Sequence, residues 1–457
     1  MPDKFDYDVV VIGCGPAGYI GSIKASRLGL KTAVIERDVP GGVCVNVGCI
    51  PTKSIIHHAN IFNSSETLKD MGVEVGTGGF DYRKVFEKSR QASEMLSGGV
   101  RYLLKQAGVE LIKGSAFLKS GKEIEVDGKR SITSDKIIIA AGSRPRPVEG
   151  FDIDEKQILS STGALMLEKL PKSILIIGSG AIGAEFSYIM NSFGVEVHIA
   201  EIMNRMLPQE DEEASLVVKR SFVKKGIKIY TGSAAVLENR DGNTLKVRVK
   251  KAGKEEHIAV EKILVAAGRI PNTENIGLEN TAAKTEKGFI SVGDYYQTDE
   301  KNVFAVGDVI NSPLLAHLAS KEAEVAVDYI AGRSPVRRVD ASNVPKAVYS
   351  EPQLASFGPA EDELAKSGTD YKKIVFQYKA CPKAVIEEKT EGLIKILYDP
   401  SGEGIFGACI AGAEATELIH ELLLAKANGL KLKRIADMIH AHPTLSEIIM
   451  EAAKGVA

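Results

Sequence analysis

Apolar residues in this chain gather into short β-branched runs that end on glycine and lead into helix-compatible stretches, and this order repeats. Tyr7 to Ile12 predicts a strand, Gly13-Cys14-Gly15-Pro16-Ala17-Gly18 a turn, the stretch to Leu28 a helix, and Lys31 to Ile35, closing on Glu36, a second strand. The same order runs from Ser173 to Ile177, through Gly178-Ser179-Gly180-Ala181-Ile182-Gly183 and a helical stretch, to Val195 to Ala200 closing on Glu201. In each copy the glutamate stands 23 positions after the first glycine. Lys136 to Pro145 and Lys262 to Pro271 form a second matched pair, apolar strands that end in a glycine where backbone passes close to a ligand. Val303 to Val306 predicts one more strand, delivering Asp308 at its carboxyl end. From about Asp340 the pattern changes to strand-like segments at Lys346 to Tyr349, Lys373 to Phe376, Leu393 to Leu397 and Ile405 to Ile410, followed by helix-compatible sequence from Ala415. This third module has no glycine fingerprint.

A glycine turn between strand and helix has a specific use. The first glycine makes the tight turn, the second lets a pyrophosphate approach the backbone, and the third lets helix pack on strand, with phosphate charge meeting the helix N-terminus. One such motif is weak evidence; two, each after a strand and each with a terminal glutamate, are strong. Glu36 and Glu201 are then placed to accept hydrogen bonds from an adenosine ribose. Glu201 would also repel a 2′-phosphate, and Ile202, Met203 and Asn204 supply no cation to receive one, so the second site is expected to prefer NAD to NADP.

Length and composition change the picture only in outline. A chain of 457 residues exceeds what one core serves, so roughly two to four domains are expected. With 44% hydrophobic and 26% charged residues and a net charge of -2, nothing pulls it globally toward nucleic acid or an acidic membrane. No apolar run approaches the roughly 20 residues that span a bilayer, and Met1 to Asp6 reads as neither signal nor transit segment, so the expected location is the cytoplasm. Five cysteines in a reducing compartment argue against a structural disulfide framework. Cys14, Cys381 and Cys409 read as packed small side chains. No metal site is expected.

Candidate chemistry lies in the run from Gly41 to Lys53, which holds Cys44 and Cys49 just after the first fingerprint. In an undistorted helix, five residues of rise at about 1.5 Å each exceed the ~7 Å Cα separation a disulfide tolerates. The two sulfurs can therefore bond only if the backbone bends between them. Gly48 gives the freedom, and Pro51 removes a helical donor and biases Ile50 away from the α region. Near the end, Ile439-His440-Ala441-His442-Pro443-Thr444-Leu445-Ser446-Glu447 offers a base and its orienter, because a carboxylate on one imidazole nitrogen raises basicity at the other.

Taken together, Gly13 to Gly18, Gly41 to Lys53, Gly178 to Glu185, Val303 to Asp308, Leu315-Ala316-His317 and His440 to Glu447 make the chain resemble the flavoprotein pyridine nucleotide-disulfide oxidoreductases, and among them the dihydrolipoamide dehydrogenases, nearly end to end. The resemblance implies an α/β fold with two Rossmann-like domains and an α+β C-terminal dimerisation domain. It implies an FAD domain over 1–146, an NAD domain over 147–272, a return segment over 273–336 that completes the flavin site, and an interface domain over 337–457. By the same resemblance Cys44 is the interchange thiol that meets substrate, and Cys49 the thiol that contacts the flavin. Lys53, paired with Glu185, lies near flavin N5, and His442, oriented by Glu447, serves the other subunit. Implied FAD contacts are Gly13, Gly15, Gly18, Glu36, Lys53, Ala116, Gly142, Ser143, Asp308, Leu315, Ala316 and His317. Implied NAD contacts are Gly178, Gly180, Ile182, Gly183, Glu185, Glu201 and Gly268. The implied reaction is oxidation of dihydrolipoamide carried by a lipoylated acyltransferase or H-protein, with reduction of NAD, in a homodimer.

Within that family the rival is an NADPH-dependent glutathione-type reductase, which commonly has arginines after the second strand and a Ser where this chain has Leu445. A mercuric reductase would need extra cysteines near Ala453 to Ala457. From another class, the chain would be a binding component of a multienzyme complex whose redox activity is incidental. Departures from the family pattern fall at Val43 and Ala141, where Thr is usual, at Lys321-Glu322-Ala323-Glu324, where a glycine is usual, and at Cys381-Pro382-Lys383. They are expected to tune the flavin or the packing and to leave the reaction unchanged.

Overall fold

The computed structural model describes residues 5–76, 78–251, 254–402 and 404–456. Contacts divide them into two compact units: residues 5–54, Arg83–Arg146 and Arg269–Val339 in the first, and Ile55–Tyr82, Pro147–Gly268 and 340–456 in the second.

In the first unit β1 (Tyr7–Ile12), α1 (Pro16–Arg27) and β2 (Thr32–Glu36) form the expected strand, helix, strand. Parallel strands line up as Glu110–Lys113, β2, β1 and Arg130–Ile139, and Val303–Ala305 joins the last of these. Buried on both faces, β1, β2, Val303–Ala305 and the stretch Ile137 to Ile139 read as near-continuous aliphatic runs. Arg130–Ile139 is longer than expected because its first half pairs antiparallel with Glu123–Val126, which in turn carries Ala116–Leu118. Register is what positions the site: Ile12 stands opposite Ile35 and Ile139, and Ala305 opposite Ile139. Gly13, Glu36, Ala140 and Val306 therefore leave the sheet at one edge, the carboxyl ends where open α/β sheets bind ligands. The helix Ala316–Ile330 packs on α1, and Ala323, in the segment that departs from the family pattern, faces Gly21, where an added Cβ would come 3.2 Å from the Ala323 methyl. A methyl on one helix is met by none on the other.

The second unit repeats the plan. Its parallel sheet runs Lys228–Thr231, Glu196–Glu201, Ser173–Ile177, Lys262–Val265, Ile158–Leu159, with Ile177 opposite Ala200 and Val265. Two further sheets belong to it. Ala234–Asp241, Thr244–Lys251 and Lys254–Val260 make a three-stranded antiparallel sheet, and Lys346–Val348, Gln353–Phe357, Ile405–Gly412, Leu393–Tyr398 and Lys372–Gln377 make one of five. On the latter, Lys395 is buried with its ammonium 2.9 Å from Asp211 and 3.3 Å from Glu213, and bonded to Glu361. Burial alone would lower its pKa; those carboxylates more than offset it and push it up.

Residues 55–82 pack with this second unit, although the family resemblance implies that they belong to the FAD domain. Side chains account for it: Asn63 Nδ2 donates to Tyr188 Oη at 3.1 Å and Ser192 Oγ at 3.0 Å, Tyr188 Oη donates to Asn60, and the rings of Phe62, Phe80 and Phe193 meet one another. Cys14, Cys381 and Cys409 are buried. Among the described residues, no helix is long and apolar enough to cross a membrane, and no cluster of His, Cys, Asp or Glu would hold a metal ion.

Two of the three fingerprint glycines of the second copy differ in what they tolerate. A Cβ at Gly183 would stand 2.0 Å from Gly178 O, whereas one at Gly180 would meet nothing within 4 Å. Gly183→Ala is expected to cost about 1–3 kcal/mol or more, and Gly180→Ala less than about 0.5 kcal/mol, as read by urea denaturation without nucleotide; equal costs would contradict the packing described.

Candidate active site

The cysteine segment is built by a bend. Cys44 lies in the short helix α2 (Gly42–Val47) and Cys49 opens α3 (Cys49–Asp70), with Gly48 between them at φ -149°, ψ -115°. A Cβ there would come 2.8 Å from Val43 O and 3.3 Å from Cys44 Cα, so only glycine lets the turns close on each other. The bend sits wholly at Gly48. Ile50, expected to leave the α region before Pro51, is helical, because Pro51 falls in the first turn of α3, where backbone N–H groups have no intrahelical acceptor to lose. Thr52 closes that turn, its N–H and Oγ1 both donating to Gly48 O at 3.1 and 2.6 Å.

The two thiols meet. Cys44 shares a side-chain hydrogen bond with Cys49, and that bond, then burial, pushes the Cys44 thiol well above its usual range, with Lys53 pulling the other way. Both sulfur residues and Lys53 are half-buried, while Val43 is exposed.

This segment is docked on the first glycine turn. Gly41 N–H donates to Cys14 O at 2.8 Å, and a Cβ on Gly42 (φ +60°) would come 2.7 Å from Gly15 Cα. Asn46 Nδ2 ties α2 back to the carbonyls of Pro40 and Gly42 at 3.2 and 2.9 Å. Arg90 donates to Asn46 O at 2.8 Å and Ser97 to Pro40 O at 2.8 Å, bracing the loop from the helix Tyr82–Gln106.

Around the same sheet edge, Asp308 accepts Ser143 Oγ at 2.5 Å. Sequence reasoning missed the third member of this group. Arg269, its side chain only 14% exposed, donates through Nε to Ser143 Oγ and through Nη2 to Ser143 O, both at 2.7 Å, and lies 4.0 Å from Asp308. Its pKa is lowered by burial and raised again by Asp308 and Cys49. The signal is its place directly after Gly268, which the family pattern gives to the nicotinamide nucleotide; Arg269 belongs instead to the first unit, on a short ribbon that pairs Arg269–Pro271 with Ser143–Pro145. Gly142 (φ +70°) precedes Ser143, and Ala141 presents its carbonyl to Asn272 Nδ2 at 2.9 Å. Leu315 is the N-cap of the helix whose first residues are Ala316 and His317, and Ala116 stands on the strand Ala116–Leu118.

Both fingerprint carboxylates are already at work. Glu36 accepts the N–H of Cys14 and of Asp38, each at 2.7 Å; Glu201 accepts the N–H of Ser179 and of Met203, each at 2.8 Å, and Ser179 Oγ at 2.8 Å. Each thus pins its glycine turn to the end of its second strand, with remaining lone pairs for a ribose. Arg205, the nearest cation after Glu201, is engaged by Pro208 O at 3.1 Å and Asp362 at 3.3 Å. Glu185 is buried and accepts Tyr349 N–H at 3.1 Å.

At the C-terminal end His442 Nδ1 and Glu447 Oε1 are 2.9 Å apart, and Thr444 N–H donates to Glu447 Oε2 at 2.9 Å. The Thr444 amide first, then His442, holds the Glu447 carboxyl below its ordinary range. The imidazole is two-thirds exposed while the carboxylate is nearly buried, so Nε2 is free to face a substrate. His440 is instead tied to Glu421 at 3.0 Å. Cys381 donates its thiol to Thr444 O at 3.6 Å.

Residues 7–323 match the family described as pyridine nucleotide-disulphide oxidoreductase, and residues 344–453 its dimerisation domain. The chain belongs to this family. The dihydrolipoyl dehydrogenase of Corynebacterium glutamicum is 39% identical over 99% of this chain and 98% of that protein. One from Bacillus subtilis is 37% identical over 98% and 97%, and the mitochondrial one of Pisum sativum 37% over 98% and 90%. Among solved structures, the HOCl-induced flavoprotein disulfide reductase RclA from Escherichia coli matches with a TM-score of 0.87 at 26% identity, covering 98% and 99% of the two chains. LpdA from Mycobacterium tuberculosis matches at 0.90 with 24% identity over 98% and 99%, a likeness of fold.

This pyridine nucleotide-disulphide oxidoreductase is thus an NAD-dependent flavoprotein that forms homodimers, with FAD and NAD as its cofactors. The residues present fit both groups. A Cβ on Gly15 or Gly180 would meet no atom within 4 Å, and neither following helix has a side-chain cap, so two first-turn sets of N–H groups face open backbone cradles suited to a pyrophosphate. Replacing Glu201 by Ala should raise the KM for NAD by about tenfold and narrow the preference over NADP, in steady-state assays with each nucleotide; an unchanged ratio would remove Glu201 from nucleotide recognition.

Proposed function

We propose that this chain is a dihydrolipoyl dehydrogenase, oxidising dihydrolipoyl groups carried by a lipoylated acyltransferase or H-protein and reducing NAD to NADH. The observation that carries the reading is the pair Cys44 and Cys49, thiol against thiol across the Gly48 bend and docked by backbone on the first glycine turn. Full-length likeness to curated dihydrolipoyl dehydrogenases supports the substrate.

The chain's own groups carry the thiol chemistry. His442, with Nδ1 held by Glu447, takes a proton at Nε2 from a dihydrolipoyl thiol. The thiolate attacks Cys44 Sγ of the oxidised pair, the Cys44–Cys49 bond breaks, and Cys49 leaves as thiolate. The second dihydrolipoyl sulfur displaces Cys44 from the mixed disulfide, releasing the cyclic disulfide and leaving both cysteines reduced. FAD, when bound, supplies the two-electron relay to the nicotinamide that returns the pair to the disulfide. Lys53 keeps a positive charge near the pair, which favours thiolate over thiol. We assign Glu36, Asp308 and Ser143 to the flavin side and Glu201 and Gly180 to NAD. His442 of each subunit serves the cysteine pair of the other, so a monomer is inactive. The cytoplasm, whose reducing poise suits a pair cycled by its own substrate, is the proposed location.

Cys44→Ser should retain flavin and lose dihydrolipoamide-dependent NADH formation, followed at the NADH absorbance. His442→Gln should lower kcat by about 10²–10⁴-fold. Turnover by the Cys44→Ser protein would defeat the proposal.

A further inference from the structure

Glu322 has no part in the thiol chemistry above, yet the fold buries it almost completely, at 2% exposure, on the helix Ala316–Ile330. Its Oε2 accepts the backbone N–H of Gly307 at 2.7 Å. Gly307 has φ +71°, and its Cβ position would stand 3.1 Å from Ala319 Cβ and 3.7 Å from Ala17 Cβ. The turn is therefore wedged between the helix of Glu322 and α1, the helix of the first glycine turn. The next residue is Asp308, whose carboxylate holds Ser143 Oγ and lies 4.0 Å from Arg269. Burying an ionisable carboxylate beside another is costly, and a neutral acceptor would satisfy the Gly307 N–H as well.

We propose that Glu322 is a positioning residue for the flavin: ionised, it grips the Gly307 N–H and fixes the Gly307–Asp308 turn against the ribityl chain, and protonated, it loosens that grip. The inference rests on the flavin reading of Asp308 given above. Hydrogen bonds to an ionised acceptor are roughly twice as strong as neutral ones, which gives the two states different holds on the turn.

Several groups face Glu322. The Ser312 hydroxyl reaches its carboxylate from the segment after the 3₁₀ turn Gly307–Val309, Asp308 faces it from that turn, and Tyr296 from the 3₁₀ turn Asp294–Tyr296. Arg338 lies over the Tyr296 ring, 5.4 Å from its centroid. From α1 the cation is Lys24, which is taken up by Asp328 at 2.5 Å and Glu324 O at 3.1 Å. Burial pushes Glu322 up, the Gly307 amide, then the Ser312 hydroxyl and Arg338 pull it down, Asp308 adds to the rise, and the outcome is about 7. A carboxyl raised from its ordinary range is ionised above that pH and protonated below it, so the strong hold is present on the alkaline side and lost as pH falls through about 7.

The test is release of FAD from the holoenzyme, followed by the rise in free-flavin fluorescence. Wild-type protein should release FAD about fivefold faster near pH 6 than near pH 8, with a midpoint near neutrality. Glu322→Gln, which keeps shape and an acceptor, should lose that step and release at the faster rate across the range. Glu322→Asp, which keeps a titrating carboxyl with shorter reach, should retain a pH step at a raised rate, and serves if the Gln protein folds poorly. A Gln or Asp profile that superimposes on wild type overturns the positioning role and leaves the enzyme assignment standing. Protein that binds no FAD at all overturns the flavin reading and this inference with it.

Discussion

The chemistry of this molecule depends on two backbones in contact. Where Gly41 N–H meets Cys14 O and Gly42 lies against Gly15, the segment carrying the thiols and the turn suited to a pyrophosphate become one object. No side chain fits between them, so the distance from the cysteine backbone to the glycine turn is set by main-chain geometry, which does not relax with rotamers. Everything else at the site elaborates that contact. Gly48 lets the thiols face each other, Asn46, Arg90 and Ser97 hold the loop, and Asp308, Ser143 and Arg269 close the neighbouring strand ends.

The duplicated plan explains why such a contact is available in only one copy. Both glycine turns are fastened by a glutamate that accepts two backbone amides, from the residue after the first glycine and from the second residue beyond itself. The scaffold is the same, and the strands end in matching register. The difference lies in the chain beyond the second strand. After Glu36 it runs straight into the cysteine segment; after Glu201 it runs through Ile202 and Met203, both exposed, to Arg205, which is held by Asp362. Both copies keep the same glycine-turn frame, and the segment that follows the second strand is what adds a cysteine pair to the first copy alone among the described residues.

Much of this was legible in the sequence because it is local. Strand, glycine turn, helix and terminal glutamate lie within a few dozen residues, and the cysteine spacing forces a bend that glycine then supplies. His442 and Glu447 are five positions apart, and the turn between them brings them to 2.9 Å. The parts that stayed hidden depend on contacts between distant positions. Arg269 meets Ser143 across 126 positions, and Glu322 meets Gly307 through a helix whose start carried the motif and whose buried face did not announce itself. Residues 55–82 looked like a continuation of the flavin segment, and contacts such as Asn60, Asn63, Phe62 and Phe80 meeting Tyr188, Ser192 and Phe193 draw them into the other unit. The bend itself was foreseen, but its burden was shared with Pro51, which a helix start accommodates without distortion.

One covalent bond decides the mechanism most directly. Protein purified in air, denatured and alkylated without reductant, should give a peptide map in which Cys44 and Cys49 are joined and Cys14, Cys381 and Cys409 are alkylated. One equivalent of dihydrolipoamide under anaerobic conditions should open that bridge, and NAD added afterwards should close it again. A map with Cys44 and Cys49 alkylated from the start, or a bridge that dihydrolipoamide leaves intact, would contradict it.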